Sequence, residues 1–340
     1  MPALPIFIDT DPGIDDAMAI LWLLRSPRAR VIGFSTTYGN VDVESTSANL
    51  LTLLAAVGGN PPVTIGASAP LALTAPRTGA LVHGTDGFWG HGRPHDLAGY
   101  PHDVAAAIAA AVRAHPGLTL LALGPLTNIA RAVQQFSADL AGVRLVALGG
   151  ARRGGNTTPV AEYNVYADPL ALEVVLASEL RVELVTMDAF DHVLIEPAPC
   201  LAALRDHGGA AQRLIADLLD GYVEAVKQFD NGIPSIPDAA AAIYTVHPEL
   251  GYSYDALVRV ITDDSYARGQ TIIAADRAER LRLVASNDAI NEQFDAAQRA
   301  GLSFADMTAR MLRGVTDNAL VVDRIDGAAM SRMLLAGLVD

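Results

Sequence analysis

Four aspartates, Asp9, Asp11, Asp15 and Asp16, fall within eight residues near the start of the chain. They close the apolar run Ile6-Phe7-Ile8 and lead, through Pro12-Gly13, into a helical pattern from Ala17 to Leu24. Carboxylates held together repel: at about 4 Å and an effective dielectric of about 20, each like-charged pair costs roughly 4 kcal/mol. Protonation, splaying into water or a shared cation relieves that repulsion. The donors on offer are all oxygen, which suits a hard cation such as calcium or magnesium. The plain alternative is a solvated acidic turn capping the helix.

Other polar groups stand just beyond expected strand ends. Thr37-Tyr38-Gly39-Asn40 follows one, and Gly124-Pro125-Leu126-Thr127-Asn128 follows another. Gly149-Gly150 follows a third, with Asn156 and Glu162-Tyr163-Asn164 downstream, and Pro237-Asp238 opens a helix after a glycine/proline turn. Singly, these read as turn residues, helix starts and caps. Open α/β sheets bind ligands outside the carboxyl ends of their strands, so convergence at one sheet edge would make a site of them.

The elements that must position these groups alternate along most of the chain. Strands are expected over 5–9, 31–36, 63–65, 119–123, 144–148 and 182–186, with helices over 16–25, 45–57, 104–115, 126–135 and 169–177. Near-continuous apolar strands separated by helices predict an α/β fold, an open, mostly parallel central β-sheet with helices on both faces. Two glycine-rich stretches, 69–101 and 149–168, break the rhythm, and loops of that length tend to be functional. After Asp188 the alternation weakens into a long helix over 209–229 and another from Asp238. With no linker or repeat, residues 1–340 are expected to form a single domain.

The chain has 340 residues, 51% of them hydrophobic and 18% charged, enough for a large core. A formal net charge of -14 makes nucleic acid and anionic membranes poor partners. No uncharged apolar run reaches the 18 or so residues of a membrane span. A single cysteine, Cys200, rules out an intramolecular disulfide and suits a cytoplasmic location. A first strand starting near residue 4 leaves no room for a signal peptide.

The chain resembles nucleoside hydrolases of the inosine-uridine-preferring type. Asp9-Thr10-Asp11-Pro12-Gly13-Ile14-Asp15-Asp16 matches that family's DxDPGxDD signature. The likeness continues through Tyr38-Gly39-Asn40, His83-Gly84-Thr85-Asp86-Gly87 and Leu123-Gly124-Pro125-Leu126-Thr127-Asn128-Ile129-Ala130. It extends to Ala161-Glu162-Tyr163-Asn164, Asp168-Pro169 and, weakly, Asp238.

That resemblance implies a calcium ion held by Asp11, Asp16 and Asp238 and by the backbone carbonyl of Thr127, with the ribose diol and one water completing the shell. Asp15 and Asn40 would bond the ribose hydroxyls or the metal shell. Asn156, Glu162 and Asn164 would hold the 5′-hydroxyl end and the sugar face. The implied reaction is hydrolysis of the N-glycosidic bond of a ribonucleoside to ribose and free base. Calcium acidifies water less than zinc does, so Asp11 is expected to act as general base on the attacking water. Direct attack predicts inversion at the anomeric carbon. Magnesium fits a diol plus carboxylates less well, because it demands near-octahedral geometry and holds its waters. Family members are commonly dimers or tetramers, which implies a homo-oligomer.

Two departures stand out. Pro237 occupies the place of a family histidine that helps protonate the departing base, and proline cannot donate a proton. His83 matches a second family histidine and is the remaining candidate for that contact. Phe88 and Trp89 are candidate stacking partners for the base, the plain alternative being that they pack the glycine-rich loop down, and Tyr222, Asp230 and Asn231 are candidate base contacts. About forty residues, roughly 276–317, are expected as a helical insertion that includes an amphipathic stretch over 287–313. Rival readings are weaker. An aspartate-nucleophile phosphatase needs a well-placed lysine, and the chain's only lysine is Lys227. The spacing of a calcium-sensor loop is absent. A non-catalytic nucleoside- or sugar-binding protein would share every predicted contact, and release of ribose is what separates it from an enzyme.

Overall fold

The computed structural model describes residues 2–72, 74, 79–228 and 233–339. Nine strands form one sheet: β1 (Leu4–Thr10), β2 (Ala29–Thr36), β3 (Val63–Ile65), β4 (Thr119–Ala122), β5 (Arg144–Leu148), β6 (Arg181–Val185), β7 (Gly251–Val260), β8 (Thr271–Ala274) and β9 (Ala319–Ile325). Their spatial order is β3-β2-β1-β4-β5-β6-β9-β7-β8. Seven pair in parallel, and β7 runs antiparallel to both β9 and β8. The fold is therefore α/β with a mixed, mostly parallel sheet, as the alternation predicts.

The helices are α1 (Ile14–Arg25), α2 (Val43–Val57), α3 (Ala80–His83), α4 (Val104–Ala114), α5 (Thr127–Leu140), α6 (Tyr163–Ala167), α7 (Pro169–Leu176) and α8 (Met187–Phe190). They continue with α9 (Pro197–His207), α10 (Ala210–Val226), α11 (Pro237–Val246), α12 (Arg277–Val284), α13 (Asn287–Arg299), α14 (Phe304–Met311) and α15 (Gly327–Val339). None among the described residues is long and apolar enough to cross a membrane.

Alternate side chains of each parallel strand enter opposite cores, because successive strand residues face opposite sides. Ile6 and Ile8 join the core beneath α1, α10 and α11, while Phe7 joins the one beneath α4, α5 and α7. Leu121 and Leu123 likewise part from Leu120 and Ala122. Each such fully buried aliphatic side chain contributes about 1.5–3 kcal/mol, which is why these strands read as unbroken apolar runs. The sheet is laid down outward from β1 on both sides, β2 and β3 on one and β4 to β6 on the other. The crevice beyond the ends of β1 and β4 is thus the switch point where such sheets bind ligands.

Sequence and structure differ mainly in the second half. The 287–313 stretch breaks into α13 and α14, with Gly301 at φ +65° in the turn between them. Residues 276–317 carry three helices packed outside β8, and in α13 only Ala297 is buried. Position 229, the expected end of the long helix, lies outside the described residues; α10 closes at Val226. Helix α9 was not apparent in the sequence, because two prolines and a low amphipathic contrast mask it.

Candidate active site

The first aspartates are held by the geometry of one strand-to-helix turn. Asp9 ends β1 in full burial, accepting from the hydroxyl of Ser35 and from Asn128 Nδ2 at 2.7 Å. Its other oxygen meets no donor among the described residues, and burial pushes its carboxyl up to about 7. Asp11 accepts the Asn40 backbone N–H at 2.8 Å, and Asn40 Nδ2 returns to the Asp11 carbonyl at 3.0 Å. The Asp11 carboxylate is also squeezed between two glycines. A Cβ at Gly39 would lie 1.9 Å from its Oδ2, and one at Gly124 2.3 Å from its Oδ1.

Asp15 and Asp16 occupy the first turn of α1, where the positive end of the helix favours anions. Asp16 closes that turn by accepting the Gly13 N–H at 2.9 Å, and it also accepts from the Thr10 hydroxyl and from Asn40 Nδ2 at 3.1 Å. Asp238 comes from the first turn of α11, behind Pro237 at the first helical position. It is not the helix N-cap; Ile236 is, without a side-chain bond, so the Asp238 carboxylate is left for other work. Helices α1 and α11 pack together, and oxygens of Asp15, Asp16 and Asp238 converge within 4.8 Å of one another, all three residues buried.

Burial raises the carboxyl of every member of this group, and at Asp11, Asp16 and Asp238 repulsion from neighbouring carboxylates adds to it. Asp11 and Asp238 are pushed well above the ordinary range, Asp16 is raised, and Asp15 reaches about 6. Asp15 Oδ1 is buried without a hydrogen-bond donor among the described residues. An oxygen-only cluster with an orphaned, buried oxygen fits a divalent hard cation, which would neutralise the repulsion and meet the free lone pairs.

These carboxylates form one end of a cavity of about 650 Å³. Around them stand Asn40, Asn156, Glu162 and Asn164. Glu162 caps α6, accepting N–H groups of Asn164 and Gly150 at 2.9 Å and of Val165 at 3.2 Å, and burial still lifts it to about 7. Asn164 Nδ2 donates to the Leu123 carbonyl at 2.7 Å and the Leu148 carbonyl at 3.2 Å. Asn156 is exposed at the rim and accepts the Tyr163 N–H at 2.9 Å. Thr127 opens α5, its hydroxyl spent on Asp168 at 2.7 Å. A larger cleft, about 740 Å³, lies at the opposite end of β6 and β9; it holds no comparable carboxylate cluster among the described residues.

A sequence profile of the inosine-uridine preferring nucleoside hydrolases matches residues 6–330. The chain belongs to that family. It is 36% identical over 278 residues to a non-specific ribonucleoside hydrolase, RihC, of Escherichia coli (strain SMS-3-5 / SECEC), covering 80% of this chain and 89% of the relative. RihC of Escherichia fergusonii is 34% identical over the same shares. Among solved structures, the plant nucleoside hydrolase PpNRh1 superposes with a TM-score of 0.82 at 26% identity over 99% of both chains. A purine-preferring ribonucleoside hydrolase from Gardnerella vaginalis, at 22% identity and a TM-score of 0.79, shares the fold over 98% of both chains. The chain is accordingly a hydrolase of the nucleoside N-ribohydrolase family.

Within this hydrolase, the structure gathers Asp11, Asp15, Asn40, His83, Asn156, Glu162, Asn164 and Asp238 around one cavity, with Asp16 directly behind. The oxygen trio contains Asp15, which the resemblance assigned to the ribose hydroxyls or the metal shell, with Asp11 standing beside the trio. His83 is buried, its Nδ1 accepting the Ile14 N–H at 3.3 Å and lying 3.8 Å from Asp15 Oδ1. Its ring stacks on Tyr222 at 6.1 Å and 18°. Burial lowers its pKa to about 4, so the ring is neutral near pH 7.

The expected base-stacking aromatics do not reach the cavity. Phe88 is fully buried in the core, and Trp89 packs on Gly221 of α10 with its indole N–H on the Val82 carbonyl at 3.0 Å. Tyr222 does line the cavity, whereas Asp230 and Asn231 lie outside the described residues. The apolar wall, Leu81, Val82, Met187, Phe190, Tyr222 and Val226, was legible in the sequence only at Tyr222.

Proposed function

We propose that this chain is a calcium-dependent nucleoside hydrolase that cleaves ribonucleosides to ribose and free base with inversion. The observation that carries this reading is the meeting of carboxylates from α1 and α11, about 220 residues apart, at the foot of a cavity walled by amide and apolar groups. Asp11, Asp16, Asp238 and the Thr127 carbonyl would hold the ion, with Asp15 close enough to share in it. When bound, calcium supplies positive charge that grips a sugar diol and lowers the pKa of water.

The chain's own residues account for the rest. Asp11 takes a proton from the attacking water. The water oxygen forms the bond to the anomeric carbon as the bond to the base breaks, and the electron pair leaves with the base. Carboxylates and the Leu123 and Leu148 carbonyl region near the sugar stabilise the oxocarbenium-like charge that develops. Asn40 and Asp15 would orient the 2′- and 3′-hydroxyls, and Asn156, Glu162 and Asn164 the 5′ end. Because Nδ1 of His83 accepts the Ile14 N–H, the neutral ring carries its proton on Nε2, a hydrogen-bond donor to a departing base rather than a strong acid.

Residues 1–340 are read as one domain, with 276–317 as an addition to it. The resemblance implies a homo-oligomer of two or four copies, and the single free Cys200 suits the cytoplasm. Pro237 favours a second reading, a nucleoside-binding protein without turnover. The deciding experiment incubates the protein with adenosine, inosine, guanosine, cytidine and uridine, with calcium and after chelation, and measures reducing sugar. Ribose released only with the ion supports the hydrolase; binding without ribose supports the second reading.

A further inference from the structure

One ionisable group facing the cavity has no role so far. Asp191 follows the last turn of α8, whose Met187 and Phe190 belong to the apolar wall, and Asp191 itself lines the cavity beside them. The other lining carboxylates are engaged: Asp11 by Asn40, Glu162 by three backbone N–H groups, Asp15 and Asp238 in the oxygen cluster. The Asp191 carboxylate accepts no hydrogen bond and joins no ion pair among the described residues. It is half-buried, and it lies close enough to Tyr222 and Glu162 for its charge to act on both. Its oxygens are open to the cavity rather than sealed from solvent, so a ligand there can exchange water for a donor of its own.

The cavity has two chemically distinct sides. Carboxylates and amides suit the hydroxyls of a ribose, and the apolar wall suits the faces of a planar base. A nucleoside laid with its diol on the carboxylates therefore puts its base against the wall that carries Asp191. We propose that Asp191 is a specificity-determining residue that reads the edge of the base and selects bases bearing an exocyclic amino group over their keto counterparts. This deepens the nucleoside hydrolase reading and rests on it. An amino group donates to the carboxylate, whereas a keto oxygen in its place sets two acceptors against each other. A hydrogen bond to a charged group discriminates by about 10- to 100-fold.

Two matched substrate pairs test the effect: adenosine with inosine, and cytidine with uridine, each pair exchanging the exocyclic amino group for a keto oxygen and the adjacent bare ring nitrogen for a ring N–H. The kcat/KM ratios within both pairs are measured for wild type and Asp191→Asn. The amide of Asn can turn its NH₂ to a keto group, so both ratios should fall by about tenfold or more. Turnover of p-nitrophenyl riboside, which has the ribose but no amino group, should stay within about twofold and also reports that the variant folds. Unchanged ratios overturn the proposal. So does an equal loss on p-nitrophenyl riboside, which would place Asp191 at the sugar. If wild type cleaves no riboside, the hydrolase reading fails instead, and calorimetric affinities of the same pairs test Asp191: ratios that shift in the variant uphold its role, and ratios that do not overturn it.

Discussion

Gly124→Ala puts the proposed base to a test that leaves its chemistry untouched. The added methyl would sit 2.3 Å from Asp11 Oδ1, 2.8 Å from its Cγ and 3.1 Å from Thr37 Cγ2. Carbon contacts settle near about 3.5–4.0 Å, so the carboxylate must shift by about 1 Å or more. Gly124 is not among the residues with positive φ, so alanine suits the backbone and the clash is the whole perturbation. A displacement of that size costs about 10²-fold in a reaction that depends on alignment. Removing the base outright, in Asp11→Asn, should cost about 10²–10⁴-fold. Steady-state release of ribose from inosine gives kcat for both single variants and the double variant, and circular dichroism confirms the fold. The two changes act through one carboxylate, so the double variant should be no slower than Asp11→Asn alone. A Gly124→Ala enzyme within threefold of wild type, or losses that multiply, would refute the alignment argument.

Three further outcomes are expected. Chelation should stop turnover and added calcium restore it, while Asp238→Asn should raise the calcium needed for half-maximal activity by about 10- to 100-fold; equal calcium dependence in wild type and variant would remove Asp238 from the ligand set. His83→Ala should slow inosine turnover yet spare p-nitrophenyl riboside, whose leaving group needs no help; an unchanged inosine rate dismisses His83. The chelated protein should lose stability as pH rises from about 4.5 to about 7. Asp9 and Glu162 have folded pKa values near 7, above their ordinary ones, so the folded state holds protons that the unfolded state has released. Calorimetric melting of chelated protein at pH 5 and 7.5 reads the sign, and a higher Tm at pH 7.5 contradicts it.

Much of the catalytic end was legible in the sequence because its signals are local. An apolar strand followed by Asp9, Asp11, Asp15 and Asp16 states its own position in an open sheet, and β1 and α1 fall there. Asp238 was different: locally it is one acidic residue after a proline, and only the packing of α1 on α11 makes it a partner of Asp16. Asn40 and Asn164 look like turn residues until their amides are seen holding Asp11, Leu123 and Leu148 in place. Glu162 lines the cavity, and the three N–H groups that also hold it depend on α6 beginning at Tyr163. Phe88 takes the plainer of its two readings, an aromatic that packs the glycine-rich loop down, and lies in the core. Asp191 gave no signal beyond following a strand, since the short helix α8 has too few turns to show a period.

The distance along the chain between Asp16 and Asp238 also governs when the catalytic centre can exist. Ribosomes add about 5–20 residues per second, so the first aspartates emerge on the order of tens of seconds before the helix that completes their set. Until then the growing polypeptide carries a half-built acidic nest with no partner from α11, while β1 already has β2 and β4 beside it. Unfinished copies therefore lack the full set of carboxylates that the proposed ion would need.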